Sequence, residues 1–241
     1  MASPLPTLSV PTFETALPST GKTIKYRPFL VKEEKILLLA MESEDEKTIE
    51  SAVKEILTNC IVSRGIKVDK LASFDLEYLF LKIRAVSAGE EVQMRVTCLD
   101  DNQTQVSVTI NLDEVTVEKP EGHTNKIMIQ DDIGILMRYP GMEQFINITL
   151  LNKDLDTTDE LLDVVADCVD QIFQGEEVWD SADTKKEEII RFLDGMTQQQ
   201  FEKIQNFFET MPVLRHRFKV VNPNTGVESS YTLEGLQSFF G

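Results

Sequence analysis

The chain has 241 residues, enough for one or two domains of about 100–150 residues each. Hydrophobic residues make up 41% and charged residues 27%, with 11 Gly and 9 Pro, so collagen-like and low-complexity architectures are excluded and a folded protein is expected. Against 41 Asp and Glu stand 24 Lys and Arg, and the resulting net charge of −17 opposes a phosphate backbone, so nucleic acid is not an expected partner.

Met1 to Thr20 lacks the basic start and apolar centre of a signal peptide, and no apolar run approaches the roughly 20 residues that cross a bilayer. No membrane partner is expected. Residues 1–22 hold Pro4, Pro6, Pro11 and Pro18 among Ser, Thr and Ala, which predicts an extended Pro-rich N-terminal arm. Charge shifts along the chain: residues 1–40 carry five basic and three acidic groups, whereas 154–188 carry thirteen acids against Lys185 and Lys186.

Ser43 with Glu46 reads as a capping box, and Ile49, Val53, Ile56 and Cys60 at helical spacing predict a helix over 44–60. A second helix starts near Ser73, with Phe74, Tyr78, Leu81 and Ala85 on one face and Leu76, Leu79 and Ile83 widening it, and ends at Gly89. From Val92 the period becomes two. Val92, Met94, Val96 and Cys98, then Val106, Val108, Ile110 and Leu112, flank Asp100 to Gln103 as a hairpin. Short strands are predicted at 126–129, 133–139 and 145–150. Thr157 with Glu160 predicts a helix through Leu161, Val165, Cys168 and Ile172. Thr184 with Glu187, and Thr197 with Gln200, predict two more, the last stopped by Pro212. A terminal hairpin follows, Arg217 to Val221 and Ser229 to Leu233. The expected fold is α+β: an antiparallel sheet with flanking helices over 23–155, then a mostly helical C-terminal region over 156–241.

Chemistry-bearing groups are sparse. His123 and His216 are far apart and read as turn or surface residues, and no glycine loop for phosphate is present. Asp100-Asp101 and Asp131-Asp132 lack the spaced oxygen ligands of a calcium loop and read as solvated turn carboxylates. Cys60, Cys98 and Cys168 are isolated and odd in number, which argues for small buried thiols rather than disulfides. Cys98 has no Cys-x-x-Cys partner, so no zinc is expected, and no catalytic residue or cofactor is assigned. Seven of the thirteen Phe fall in the last fifty residues, either as a small helical core or as a partner surface.

The segment from Tyr26-Arg27-Pro28-Phe29-Leu30-Val31-Lys32-Glu33-Glu34-Lys35 to Met41 resembles the opening block of the T4-type phage baseplate hub family, which includes hub assembly proteins. Ile83 to Glu90, Gly122 to Ile127, Gly134 to Pro140 and Leu233 to Phe240 resemble later blocks of that family in order, so the resemblance covers 23–241. It implies a non-enzymatic structural or assembly protein of the virion's tail baseplate, or of the infected host's cytoplasm during assembly. Other hub or tail proteins are the implied partners, and the alternative is a tail assembly chaperone that binds the tape-measure or another hub protein and is absent from the mature virion. In the first block Pro28 is expected to break a strand, Lys32 to Lys35 to form a solvated turn, and Ile36 to Leu39 to be buried. Tyr26, Arg27, Pro28, Phe29, Lys32, Glu33, Glu34 and Lys35, with Phe239 and Phe240, are the expected partner-binding residues.

Overall fold

Alternating burial along Thr-Ile-Lys-Tyr makes residues Thr23–Tyr26 a strand, β2, with Ile24 and Tyr26 turned inward. It pairs antiparallel with β1 (Phe13–Ala16). In the computed structural model, which describes residues 8–43, 45–142 and 158–239, the expected arm is thus built into the fold from Phe13 onward. Pro11 and Pro18 flank β1, where a missing N–H interrupts no ladder. Leu17 is buried, and Ser19 donates both its N–H, at 3.0 Å, and its hydroxyl to the buried carboxylate of Asp75.

Three helices follow: α1 (Val31–Ser43), α2 (Glu46–Cys60) and α3 (Ser73–Ala88). The cap of α2 differs from expectation. Ser43 belongs to the last turn of α1, where its hydroxyl donates to Ala40 O, and Asp45 accepts the Thr48 N–H at 2.9 Å. Val53, Ile56, Leu57 and Cys60 form the buried face of α2, while α3 buries Leu76, Leu79, Leu81 and Ile83 completely and ends at Gly89. The expected hairpin forms as β3 (Glu91–Thr97) and β4 (Gln105–Asn111), with Val92 opposite Ile110 and Met94 opposite Val108. The short β5 (Thr116–Glu118) pairs with β10 (Val213–Val221), which pairs with β11 (Glu228–Glu234). These elements enclose the larger core, to which Leu214 and Phe239 return from the C-terminal end.

Residues between β5 and β10 build a second core. Its sheet has the order β6 (Lys126–Gln130), β7 (Ile133–Met137), β8 (Val169–Gln174), β9 (Glu177–Asp180), all antiparallel. One face carries Ile127, Ile129, Ile135 and Met137 against α4 (Thr158–Asp167), α5 (Lys186–Asp194) and α6 (Gln198–Glu209). The helix expected to run through Ile172 stops at Asp167. Ile172 lies instead in β8, opposite both Ile135 and Trp179. The expected mostly helical C-terminal region is therefore mixed, since β8 to β11 all lie within it. Thr197 and Gln200 form the predicted reciprocal capping box, whereas Thr184 does not cap α5 and donates to Asp180 O at 2.8 Å.

The strand expected at 145–150 and the boundary expected after 155 lie outside the described residues. Burial groups the chain differently from that boundary, because α4 to α6 share a core with β6 to β9 while β10 and β11 join the first core. The tips of the two hairpins interlock. Asn222, almost fully buried, donates to Asp100 Oδ1 and Oδ2 and to Asp101 Oδ2, each at 3.0 Å, and Thr225 donates to Asp100. Hydrogen bonds from Thr225 and Asn222 hold the Asp100 carboxyl below its ordinary value. These acids lie in a turn as expected, with Asp100 exposed and Asp101 half-buried, and in addition they join two hairpins.

Candidate functional site

Tyr26 to Lys35 splits into a buried part and an exposed part. Tyr26 is core, and after it Arg27 N–H donates to Cys60 O at 2.8 Å. Phe29 N–H donates to Ser87 Oγ at 2.7 Å, and the Phe29 ring meets Phe80 edge-on at 5.6 Å. The first family-like block is thereby pinned to the second, which ends α3. Pro28 follows the strand as expected, and its carbonyl accepts from Arg27 Nη1 at 2.9 Å.

Lys32 to Lys35 was expected to be a solvated turn, but it forms the first turns of α1. Glu33 stands three residues after the helix cap Leu30, whose N–H its Oε2 accepts at 2.9 Å, the return half of a capping box. Arg27 Nη2 donates to Glu33 Oε1 at 2.8 Å, and Lys32 Nζ approaches the same oxygen at 3.3 Å. Glu33 is completely buried. Burial pushes its carboxyl up, but the Arg27 and Leu30 hydrogen bonds and the guanidinium charge outweigh that and hold it below the ordinary value. Arg27, Pro28, Phe29 and Glu33 are thus a clamp joining β2, α1, α2 and α3.

The apolar run Ile36 to Leu39 was expected to be buried. A helix turns about 100° per residue, so four consecutive apolar residues cannot all face one core. Ile36 and Leu37 are half-buried, whereas Leu38 is 60% and Leu39 56% exposed, and Val31, seven residues before Leu38, is 81% exposed. Lys32, Glu34 and Lys35 lie exposed around them. Beside this face runs a groove of about 470 Å³ between α1 and α2, floored by Ile36, Leu39, Ala40 and Ala52 and edged by Glu55. Phe239, expected as a partner residue, is buried in the larger core, and Phe240 lies outside the described residues. The exposure of Leu38 and Leu39 departs from the burial that their apolar type implies. Their signal was the length of the run.

His123, expected at a turn or surface, is partly buried in an aromatic stack. Its ring lies 5.6 Å from Tyr139 and 5.2 Å from Phe207, and Tyr139 meets Phe74 of α3 at 4.9 Å, so the column joins α3 to the second core. The Thr210 hydroxyl spends its proton on Asn206 O, so it accepts from His123 Nδ1–H at 3.0 Å, and Nε2 accepts from the Tyr139 hydroxyl at 3.0 Å. This is the neutral tautomer. Burial, then the charge of Lys119, lowers the His123 pKa. A lowered folded value means that the stability contributed is complete above the ordinary 6.5 and is lost as pH falls through the folded value. Thermal unfolding of the native chain is expected to shift down between pH 7.5 and 5.5, and His123→Gln to flatten that slope; an unaltered slope would assign it to other groups.

Burial pushes the Cys60 thiol up to about 11 and Cys168 to about 12, and all three thiols are free and buried. Neither Cys60 nor Cys168 is a thiolate at neutral pH, so neither is an activated nucleophile. Among the described residues no group of three or more His, Cys, Asp or Glu is placed to hold a metal ion, and no helix is long and apolar enough to cross a membrane.

No curated protein and no solved structure matches the chain. A family model does, over residues 10–241, which include the clamp, the outer face of α1, the aromatic column and both hairpin tips. Its description is T4 bacteriophage base plate protein, and with nearly every residue inside the match the chain belongs to that family.

Proposed function

We propose that the protein is a non-enzymatic structural or assembly subunit of the baseplate hub of a contractile-tailed phage, and that it docks on neighbouring tail proteins through the outer face of α1. The observation that carries this reading is the exposure of Val31, Leu38 and Leu39 on a helix whose start is fixed rigidly by Arg27 and Glu33. Three large apolar side chains on one helix, beside an apolar groove, are surface that a partner covers favourably. Because the clamp presets the orientation of α1, little ordering cost falls on docking. Lys32, Glu34 and Lys35 supply a charged rim, which sets register more than affinity. The hub assignment follows the sequence blocks described above, and the place of action is the virion tail.

Cross-linking mass spectrometry of purified virions tests it. The chain is expected in the particle, with Lys32 and Lys35 cross-linked to another tail protein. Its absence from particles, with cross-links to the tape-measure protein in lysates, would replace this reading by an assembly chaperone.

A further inference from the structure

The two edges of the four-stranded sheet are treated differently. At β6, the Lys203 ammonium from α6 takes the carbonyls of Met128 and Ile129 at 2.9 and 3.0 Å, which blunts that edge. At β9, among the described residues, no strand pairs on the outer side.

The register shows what β9 offers there. Ser181 N–H donates to Asp170 O at 2.9 Å, in line with the pairing of Asp180 with Gln171 and of Trp179 with Ile172. Hydrogen-bonded and non-bonded pairs alternate in an antiparallel ladder. Trp179 and Glu177 therefore bond to β8, while the peptide groups of Val178 and Asp180 face outward. The Asp180 carbonyl is taken by Thr184, which leaves the Val178 N–H and C=O and the Asp180 N–H as an open main-chain edge. The side chains on either side of that edge are apolar and exposed, 56% for Val178 and 44% for Trp179, the only tryptophan of the chain. Val178 continues a row with Phe173, whose ring packs on Gly134, across the sheet face opposite the one that carries Ile127 and Ile135.

Charge selects the occupant. Glu176, Glu177, Asp180 and Asp183 surround the edge, and none makes a salt bridge among the described residues. A second copy pairing antiparallel through β9 matches outward-facing residues only with outward-facing ones, which sets Asp180 opposite Asp180 or Glu176, or diagonal to Glu176 on the same face, like charges together between two chains of net charge −17. We propose that the outer edge of β9 accepts an extended segment of a partner protein, one in which Lys or Arg alternates with apolar residues, as a fifth strand of the sheet. Main-chain bonds to Val178 and Asp180 hold the added strand, its apolar side chains meet Trp179 or Val178, and its cations meet the acidic rim. This surface is separate from α1 and does not depend on the role given to α1.

The test uses the full chain and a capped peptide of alternating lysine and valine. Trp179 reports binding directly, because no other tryptophan contributes emission. Titration is expected to give a saturable blue shift and slowed hydrogen exchange at Val178. The same peptide N-methylated along its pairing edge keeps every charge and is expected to bind about tenfold more weakly or worse. Val178→Lys, at an exposed position, is expected to weaken binding with an unchanged circular dichroism spectrum. Equal binding of the N-methylated peptide or of a glutamate-valine counterpart would overturn the proposal. So would the absence of any spectral change, or slow exchange at Val178 produced by self-association without peptide.

Discussion

Arg27→Ala is expected to lower the stability of the chain by about 3 kcal/mol, the scale for removing one partner of a buried ion pair. The cost arises at Glu33, whose completely buried carboxylate would keep the Leu30 N–H and the exposed Lys32 but lose the guanidinium. Because the Glu33 pKa is depressed in the folded chain, the stability it contributes is present above its ordinary value of 4.5 and lost as pH falls through the folded value. The gap between variant and native chain should therefore narrow on acidification. Chemical unfolding at pH 7 and pH 3.5 measures both. An Arg27→Ala chain as stable as the native one at pH 7 would show that the pair is not structural, and would return Arg27 to the role of an exposed anchor.

The opposite pattern is expected for Val31→Glu combined with Leu38→Glu. Both side chains stand mostly in solvent, so the melting temperature should stay within the range of ordinary surface changes, about 0.5 kcal/mol. Acid at position 31 also suits the positive end of the helix dipole. Capture of tail proteins from infected cells should nonetheless be lost, because central apolar contacts of an interface are worth about 2 kcal/mol each, or roughly 30-fold in affinity. Unchanged capture alongside an unchanged melting temperature would remove α1 as the docking face. Together the two variants test separately the two roles considered for the opening block, building the fold through its first half and docking, as proposed, through the helix it launches.

Local pattern alone determined much of the architecture. The α3 helix was legible because its broad apolar face and terminal Gly89 are local signals, and the β3–β4 and β10–β11 hairpins because a period of two on either side of a polar turn admits few other folds. The Thr197–Gln200 box was legible because both partners lie within one turn. The tertiary structure decided whatever depends on partners distant in sequence. Ile172 satisfies a helical spacing and a strand spacing alike, and only pairing with Ile135 and Trp179 selects the strand. Ser43 and Asp45 are both competent caps, and the choice follows from where α1 ends. Leu38 and Leu39 have the same composition signal as Leu76 and Leu79, yet one pair faces solvent and the other is fully buried. Hydrophobicity sets what burial of a side chain is worth, whereas the packing of α1 against α2 sets which sides of the helix are offered to it. The same holds for Arg27: its charge marks it equally as a surface anchor or a buried clamp, and the carboxylate of Glu33, folded back beneath it by the first turn of α1, makes it the clamp.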